Sequence, residues 1–111
     1  MKNSSLAFIG LIKKARAIVV GDALMTAIRA QKVFLVIISS GASPRTHKQL
    51  ADKCTFYRIP VMMADVTTGI FHLGDKTVAA LGITQRSMAS HLIDEEMREA
   101  YAKETGSKSQ Q

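Results

Sequence analysis

One cysteine, no tryptophan, two prolines and, in the first sixty residues, only two acidic side chains: each scarcity removes a class of function. Cys54 alone cannot form an internal disulfide or a site built from several thiolates, and a lone thiol suits a reducing compartment. Few, scattered Phe and Tyr provide no aromatic platform on which single-stranded nucleic acid would stack. No apolar run approaches the roughly 20 residues needed to span a bilayer, and the first residues lack the basic, apolar and small-residue blocks of a secretory signal. A cytoplasmic location and no membrane contact are therefore expected. Asp22 and Asp52 stand against ten Lys and Arg in residues 1–60, whereas residues 61–111 carry seven acidic side chains against five basic. The net charge of +6 favours a polyanionic partner, and that attraction belongs to the first half of the chain.

Catalytic signatures are also missing. No GxxxxGK[ST] or GxGxxG phosphate cradle occurs, and Ser39-Ser40-Gly41 does not form a GxSxG nucleophile elbow. His47, His72 and His91 lie far apart, without the spacing of metal ligands. Asp94, Glu95, Glu96 and Glu99 crowd one helical stretch and spread around it, which reads as a solvated face rather than an acid–base pair in a cleft. The sequence thus points away from an enzyme, a metal, a cofactor or a small-molecule substrate.

What is present is organised around residues 33–38, Val-Phe-Leu-Val-Ile-Ile, which end in Ser39-Ser40-Gly41. Such a run has no polar face and must be covered on both sides, as strands are in helix-layered sheets. A βαβ-type sandwich follows, with functional loops at the strand ends. Before this strand, residues 5–17 read as an amphipathic helix with Lys13, Lys14 and Arg16 in its last turn. There the cations suit the helix dipole as well as an RNA partner. Residues 18–20 form a short strand stopped by Gly21, and Asp22 caps a helix over residues 23–30 with Leu24 and Ile28 inward and Arg29 outward. Lys32 follows. Ser43-Pro44 opens a third helix reaching about Tyr57, with Leu50 and Cys54 inward. Residues 61–64 form a strand, residues 65–67 a loop, residues 68–73 a short helix weakened by Gly69, and residues 78–83 a further strand. Thr84 caps the last helix, which runs to about Lys103. One domain, residues 1–104, and a disordered polar tail, residues 105–111, complete the expected layout.

The stretch AIRAQKVFLVIISSGASPRTHKQLADKC, then YRIPV, then HLGDKTVAALGIT resembles the bacterial YlxQ-type proteins. These belong to the large-subunit ribosomal protein superfamily (the seven-Ae and thirty-e type) that binds RNA kink-turns, and the likeness covers roughly residues 5–95. It implies a three-layer α/β/α sandwich with a four-stranded mixed sheet. It also implies a monomeric, non-catalytic RNA-binding protein that docks on structured RNA, ribosomal RNA included. Carried over position by position, the first contact element is Gly21, Asp22, Ala23, Leu24, Met25 and Thr26 with Arg29, and the second is Asp65, Val66, Thr67 and Thr68. Amides at a helix N-terminus accept phosphate, and Lys13, Lys14, Arg16, Arg29 and Lys32 would supply counter-charge. The chain departs from the family pattern at three places. Thr26 replaces a lysine, Asp22-Ala23 replaces a pair such as Asn-Glu, and Ser40-Gly41 replaces an acidic pair; the first change removes one charge-assisted contact. A protein-interaction module of the same fold, serving translation or transcription machinery with weak charge-driven RNA affinity, is the alternative.

Overall fold

The computed structural model describes residues 1–109, of which residues 98–109 are helical backbone only. In chain order its elements are α1 (Asn3–Lys14), β1 (Ile18–Val19), α2 (Gly21–Arg29), β2 (Leu35–Ser39), α3 (Pro44–Phe56), β3 (Val61–Ala64) and a 3₁₀ turn (Val66–Thr68). They continue with β4 (His72–Leu73), β5 (Lys76–Thr77), β6 (Ala80–Ile83) and α4 (Arg86–Ser109). The main sheet has the order β1-β6-β2-β3, with β6 antiparallel to β1 and β2, and β2 parallel to β3. Strands β1, β2 and β3 therefore all run the same way, and β4 and β5 form a separate hairpin.

The apolar run behaves as its composition requires. All five residues of β2 are buried, and the four apolar ones alternate between two cores. Leu35 and Ile37 join Leu81, Ile83 and Phe71 beneath α1 and α4, while Val36 and Ile38 join Leu24, Ile28, Leu50 and Cys54 beneath α2 and α3. The result is the three-layer α/β/α sandwich with a four-stranded mixed sheet. Burial pushes the Cys54 thiol up to about 11, as befits a small core residue.

Several local expectations give way. The short helix over residues 68–73 is replaced by the 3₁₀ turn and the β4–β5 hairpin. Gly69 leaves the turn at φ +81°, and Gly74 takes φ +65° as the first residue of a two-residue hairpin loop, so two glycines break the helix where one was read as only weakening it. Asp22 does not cap α2: the helix begins two residues earlier than expected, Val20 is its N-cap, and Asp22 lies inside the first turn. Arg16 lies beyond α1 rather than in its last turn, at φ +56°. Thr84 does not cap α4: the helix starts at Arg86, so Gln85 precedes it and its carbonyl accepts from the Ala89 amide, while the Thr84 N–H donates to the Ala17 carbonyl and holds β6 to the start of β1. Helix α4 runs past the boundary expected after residue 104, and the end of the expected tail, residues 110–111, lies outside the described residues.

The acidic stretch of α4 is also not simply solvated. Glu96 accepts from the buried Ser5 hydroxyl at 2.6 Å and from the Lys2 amide at 3.4 Å, closing the first turn of α1. Glu95 pairs with the Lys2 ammonium at 3.0 Å and accepts from Ser4. The hydrogen bond and charge of Lys2 hold the Glu95 carboxyl below its ordinary value of 4.5. A carboxylate held low contributes stability above its ordinary value and loses it as pH falls through the lower, folded value. Thermal melts should therefore fall on acidification below about pH 4.5, and Glu95→Gln should show a shallower fall than the parent protein.

Candidate nucleic-acid interface

The loops that follow β1, β2 and β3 share one edge of the sheet, because these strands run the same way. At that edge Gly21, at φ +63°, turns the chain from β1 into α2. Val20 has no polar side chain with which to cap the helix. The amides of residues 21–23 precede the first intrahelical bond, from Leu24 N–H to the Val20 carbonyl, and all three residues are exposed. Thr26 turns its hydroxyl back to the Asp22 carbonyl at 3.2 Å, and Met25 is half-buried.

Two neighbouring loops are tied into one unit. The Val66 amide donates to the Ser40 hydroxyl at 2.9 Å, the Ser40 amide to the Ala64 carbonyl at 2.9 Å, and the Gly41 amide to the Ser39 hydroxyl at 3.0 Å. A Cβ on Gly41 would lie 3.4 Å from Val66, an ordinary van der Waals contact, so the two loops pack closely here. Asp65 accepts from the Thr67 amide at 2.8 Å and from its hydroxyl at 2.7 Å, and these bonds hold its carboxyl below the ordinary range. The Thr68 hydroxyl donates to the Asp65 carbonyl at 2.8 Å. The segment expected as a second contact element is thus a hydrogen-bonded turn with Thr67 exposed and Val66 half-buried.

Between α2 and α3 opens a largely apolar cavity of about 350 Å³, lined by Gly21, Leu24, Met25, Thr46, Gln49 and Leu50 and, across from them, Thr77, Val78, Ala79 and Ala80. Sequence reading did not single out Thr46, Gln49 or residues 77–80. The i, i+3 spacing of Thr46 and Gln49 on one face of α3 was the available signal. Ser43 caps α3 by accepting from the Thr46 amide, so the free helix-terminal amides along this cavity belong to α2.

The sequence-derived site residues do not form one surface. Gly21, Asp22, Ala23, Met25 and Thr26 share the carboxyl edge of the parallel strands with Val66, Thr67 and Thr68. The two groups stand three strand spacings apart, about 14 Å. Arg29 sits in the last turn of α2, about 12 Å down its axis from Gly21, and Lys32 follows it toward the opposite edge. Lys14 and Arg16 also lie at that opposite edge, where α1 turns into β1. Lys13 points its ammonium at the His72 carbonyl, 3.4 Å away, and burial lowers its pKa. The carboxyl edge itself carries exposed Asp22 and Asp65, with Arg45 and Lys48 in the first turns of α3.

Among the described residues no three His, Cys, Asp or Glu side chains gather as a metal site. His47 meets the Met63 sulfur at 3.2 Å, His72 meets the Thr77 hydroxyl at 3.1 Å, and the His91 ring packs on Phe8. No described helix is long and apolar enough to cross a membrane.

No family model matches the chain. RNA-binding protein YlxQ of Bacillus subtilis (strain 168) is 29% identical to it over 87 residues, which cover 77% of this chain and 87% of the Bacillus protein. The chain is thus similar to a YlxQ protein over most of its length. A solved structure of a protein of unknown function from Bacillus halodurans C is similar to it with a TM-score of 0.75 and 28% identity, covering 83% of this chain and 95% of that one. The similarity to this solved structure therefore spans most of the sandwich.

Proposed function

We propose that this protein is a YlxQ-type, non-catalytic, cytoplasmic RNA-binding protein that docks the carboxyl edge of its sheet, as a single copy, on a kinked segment of structured RNA, with ribosomal RNA in the candidate set. The observation that carries this reading is the exposed, uncapped first turn of α2 beside an apolar cavity. Free amides and the positive end of the helix dipole accept a phosphate, and Gly21 lets the backbone approach it closely. Met25 and the cavity wall offer an unstacked base an apolar seat, as recognition of irregular RNA requires. The turn over Val66, Thr67 and Thr68, held by Asp65 and Ser40, is rigid enough to act as the second support. The Bacillus subtilis relative, named an RNA-binding protein, supports an RNA partner.

The test compares one RNA containing a kink-turn with the same two stems joined directly, titrated at physiological salt. Preference for the kinked RNA is the expected result; equal affinities that fade together with added salt would leave only charge-driven binding. Thr26→Lys provides a sharper check. Position 26 is exposed and one turn into α2, so a lysine there adds a charge-assisted contact and should tighten kinked-RNA binding about tenfold. An unchanged dissociation constant would separate position 26 from the RNA. The protein-interaction reading rests on a different feature: Phe56, 76% exposed, set edge-on to Tyr57 in a groove between α2 and α3. Loss of RNA preference would direct attention there.

A further inference from the structure

The strongest concentration of one charge lies away from the carboxyl edge. The segments that reach the amino edge of the parallel strands, residues 13–18, 28–35, 53–61 and 82–89, contain eight Lys and Arg and no Asp or Glu. Three helices end there in the same way. The amides of Ala17, Lys32 and Ile59 bond back to the carbonyls of Ile12, Ala27 and Cys54, and those of Arg16, Gln31 and Arg58 to Lys13, Ile28 and Thr55. These are three Schellman endings along one edge of the sheet, that of α1 on one face and those of α2 and α3 on the other. Each requires a left-handed residue, and Arg16, Gln31 and Arg58 occupy those positions at φ +56°, +57° and +58°. Glycine adopts that conformation without strain, yet two of the three are arginine, and all three are exposed.

The helix dipole accounts for cations in a last helical turn, but not for Arg86, which sits in the first turn of α4 where a cation is unfavourable. Arg86 instead lies over the Phe34 ring, 5.0 Å from its centroid. Between Arg86 and Arg58 the surface dips into a cavity of about 210 Å³ bordered by Gln31, Phe34, Tyr57 and Pro60. The cationic row crosses the sheet from β1 to β3, about 14 Å, which is wide enough to meet more than one phosphate.

We infer that the amino edge of the parallel strands is a second RNA-contacting surface, taking the sugar-phosphate backbone of a duplex segment through Arg16, Lys32, Arg58 and Arg86. It rests on the RNA-binding reading above and divides it in two: the carboxyl edge selects the kink, and the amino edge supplies the sequence-independent charge. The molecule would then sit between two RNA segments rather than on one.

The probe is a plain RNA duplex with no kink, titrated over a salt series against the parent protein and the triple variant Arg16→Gly, Arg58→Gly, Arg86→Gln. Glycine is at ease at the first two positions, so the variant should melt no lower than the parent, which establishes that it is folded. Its affinity for the duplex at low salt should fall at least tenfold, and the slope of log K against log salt should shrink by about two to three. Unchanged affinity and slope would overturn the second surface. Should the parent prefer the kinked RNA while the triple variant binds the plain duplex as the parent does, this inference fails and the carboxyl-edge reading stands. Should kink preference be absent while the triple variant loses duplex binding, the reverse holds. A parent protein that binds neither RNA would overturn both.

Discussion

Phe71→Ala should remove about 3–5 kcal/mol of folding stability, a large share of the roughly 5–15 kcal/mol typical of such a domain. The Phe71 side chain is fully buried and belongs to the core beneath α1 and α4, against which Ile70 also packs. It fixes more than volume. Residues 65–79 connect β3 to β6 through a 3₁₀ turn and two-residue strands, elements too short to hold themselves in place. Phe71 pins this connection to the core, and its carbonyl receives the Val78 amide at 2.8 Å as the hairpin returns to the sheet. Urea unfolding should show a lower midpoint. Cys54 supplies an independent reading, because its thiol is buried and pushed up to about 11: it should resist alkylation in the parent protein and become reactive in the variant. A loss of unfolding free energy below about 1 kcal/mol would mean that the surrounding residues collapse into the space, and that the hairpin is held from elsewhere.

This dependence explains what the sequence could and could not disclose. Residues 33–38 announced a doubly covered strand because every side chain was apolar, and Ser43-Pro44 announced a helix start because both its capping hydroxyl and its proline were in place. Leu24 and Ile28 showed the inner face of α2 by spacing alone. Segment 68–77 was harder. Strands of two residues have no period to read, and the signal lay in Gly69 and Gly74, whose positive φ values mark a turn exit and a hairpin loop. Gly82 hid a packing fact of another kind: a Cβ there would overlap Leu24 and press on Val19 and Val33, so the glycine lets α2 lie close on the sheet.

The candidate site was legible as residue types but not as a surface. Lys13 to Lys32 are neighbours in sequence and were read as one basic patch. In space α2 runs from one edge of the sheet toward the other, so Gly21 and Arg29 stand at opposite ends of the helix, and the cations of α1 end near the second edge. Sequence adjacency does not reveal that an element spans the sheet. The parallel direction of β1, β2 and β3 does, and it separates the uncapped amides from most of the positive charge.

Ala23→Glu exploits that separation. Position 23 is exposed in the first turn of α2, beside amides with no capping side chain. A carboxylate there complements the helix dipole and should raise stability by about 0.3–1 kcal/mol. The pair that the resemblance implies here, such as Asn-Glu, holds one carboxylate, whereas this substitution would add a second beside Asp22; two adjacent carboxylates against the proposed RNA phosphate cost several kcal/mol, so affinity for a kinked RNA should fall about a hundredfold. Stability and affinity move in opposite directions, a pattern that partial unfolding cannot produce. Ala23→Gln, similar in size but uncharged, should retain most of the binding and so assign the loss to charge rather than bulk. The measurement is a thermal melt beside a titration with kinked RNA at physiological salt. A higher melting temperature with undiminished affinity would place the phosphate contact away from the N-terminus of α2 and leave the cationic amino edge as the principal RNA surface.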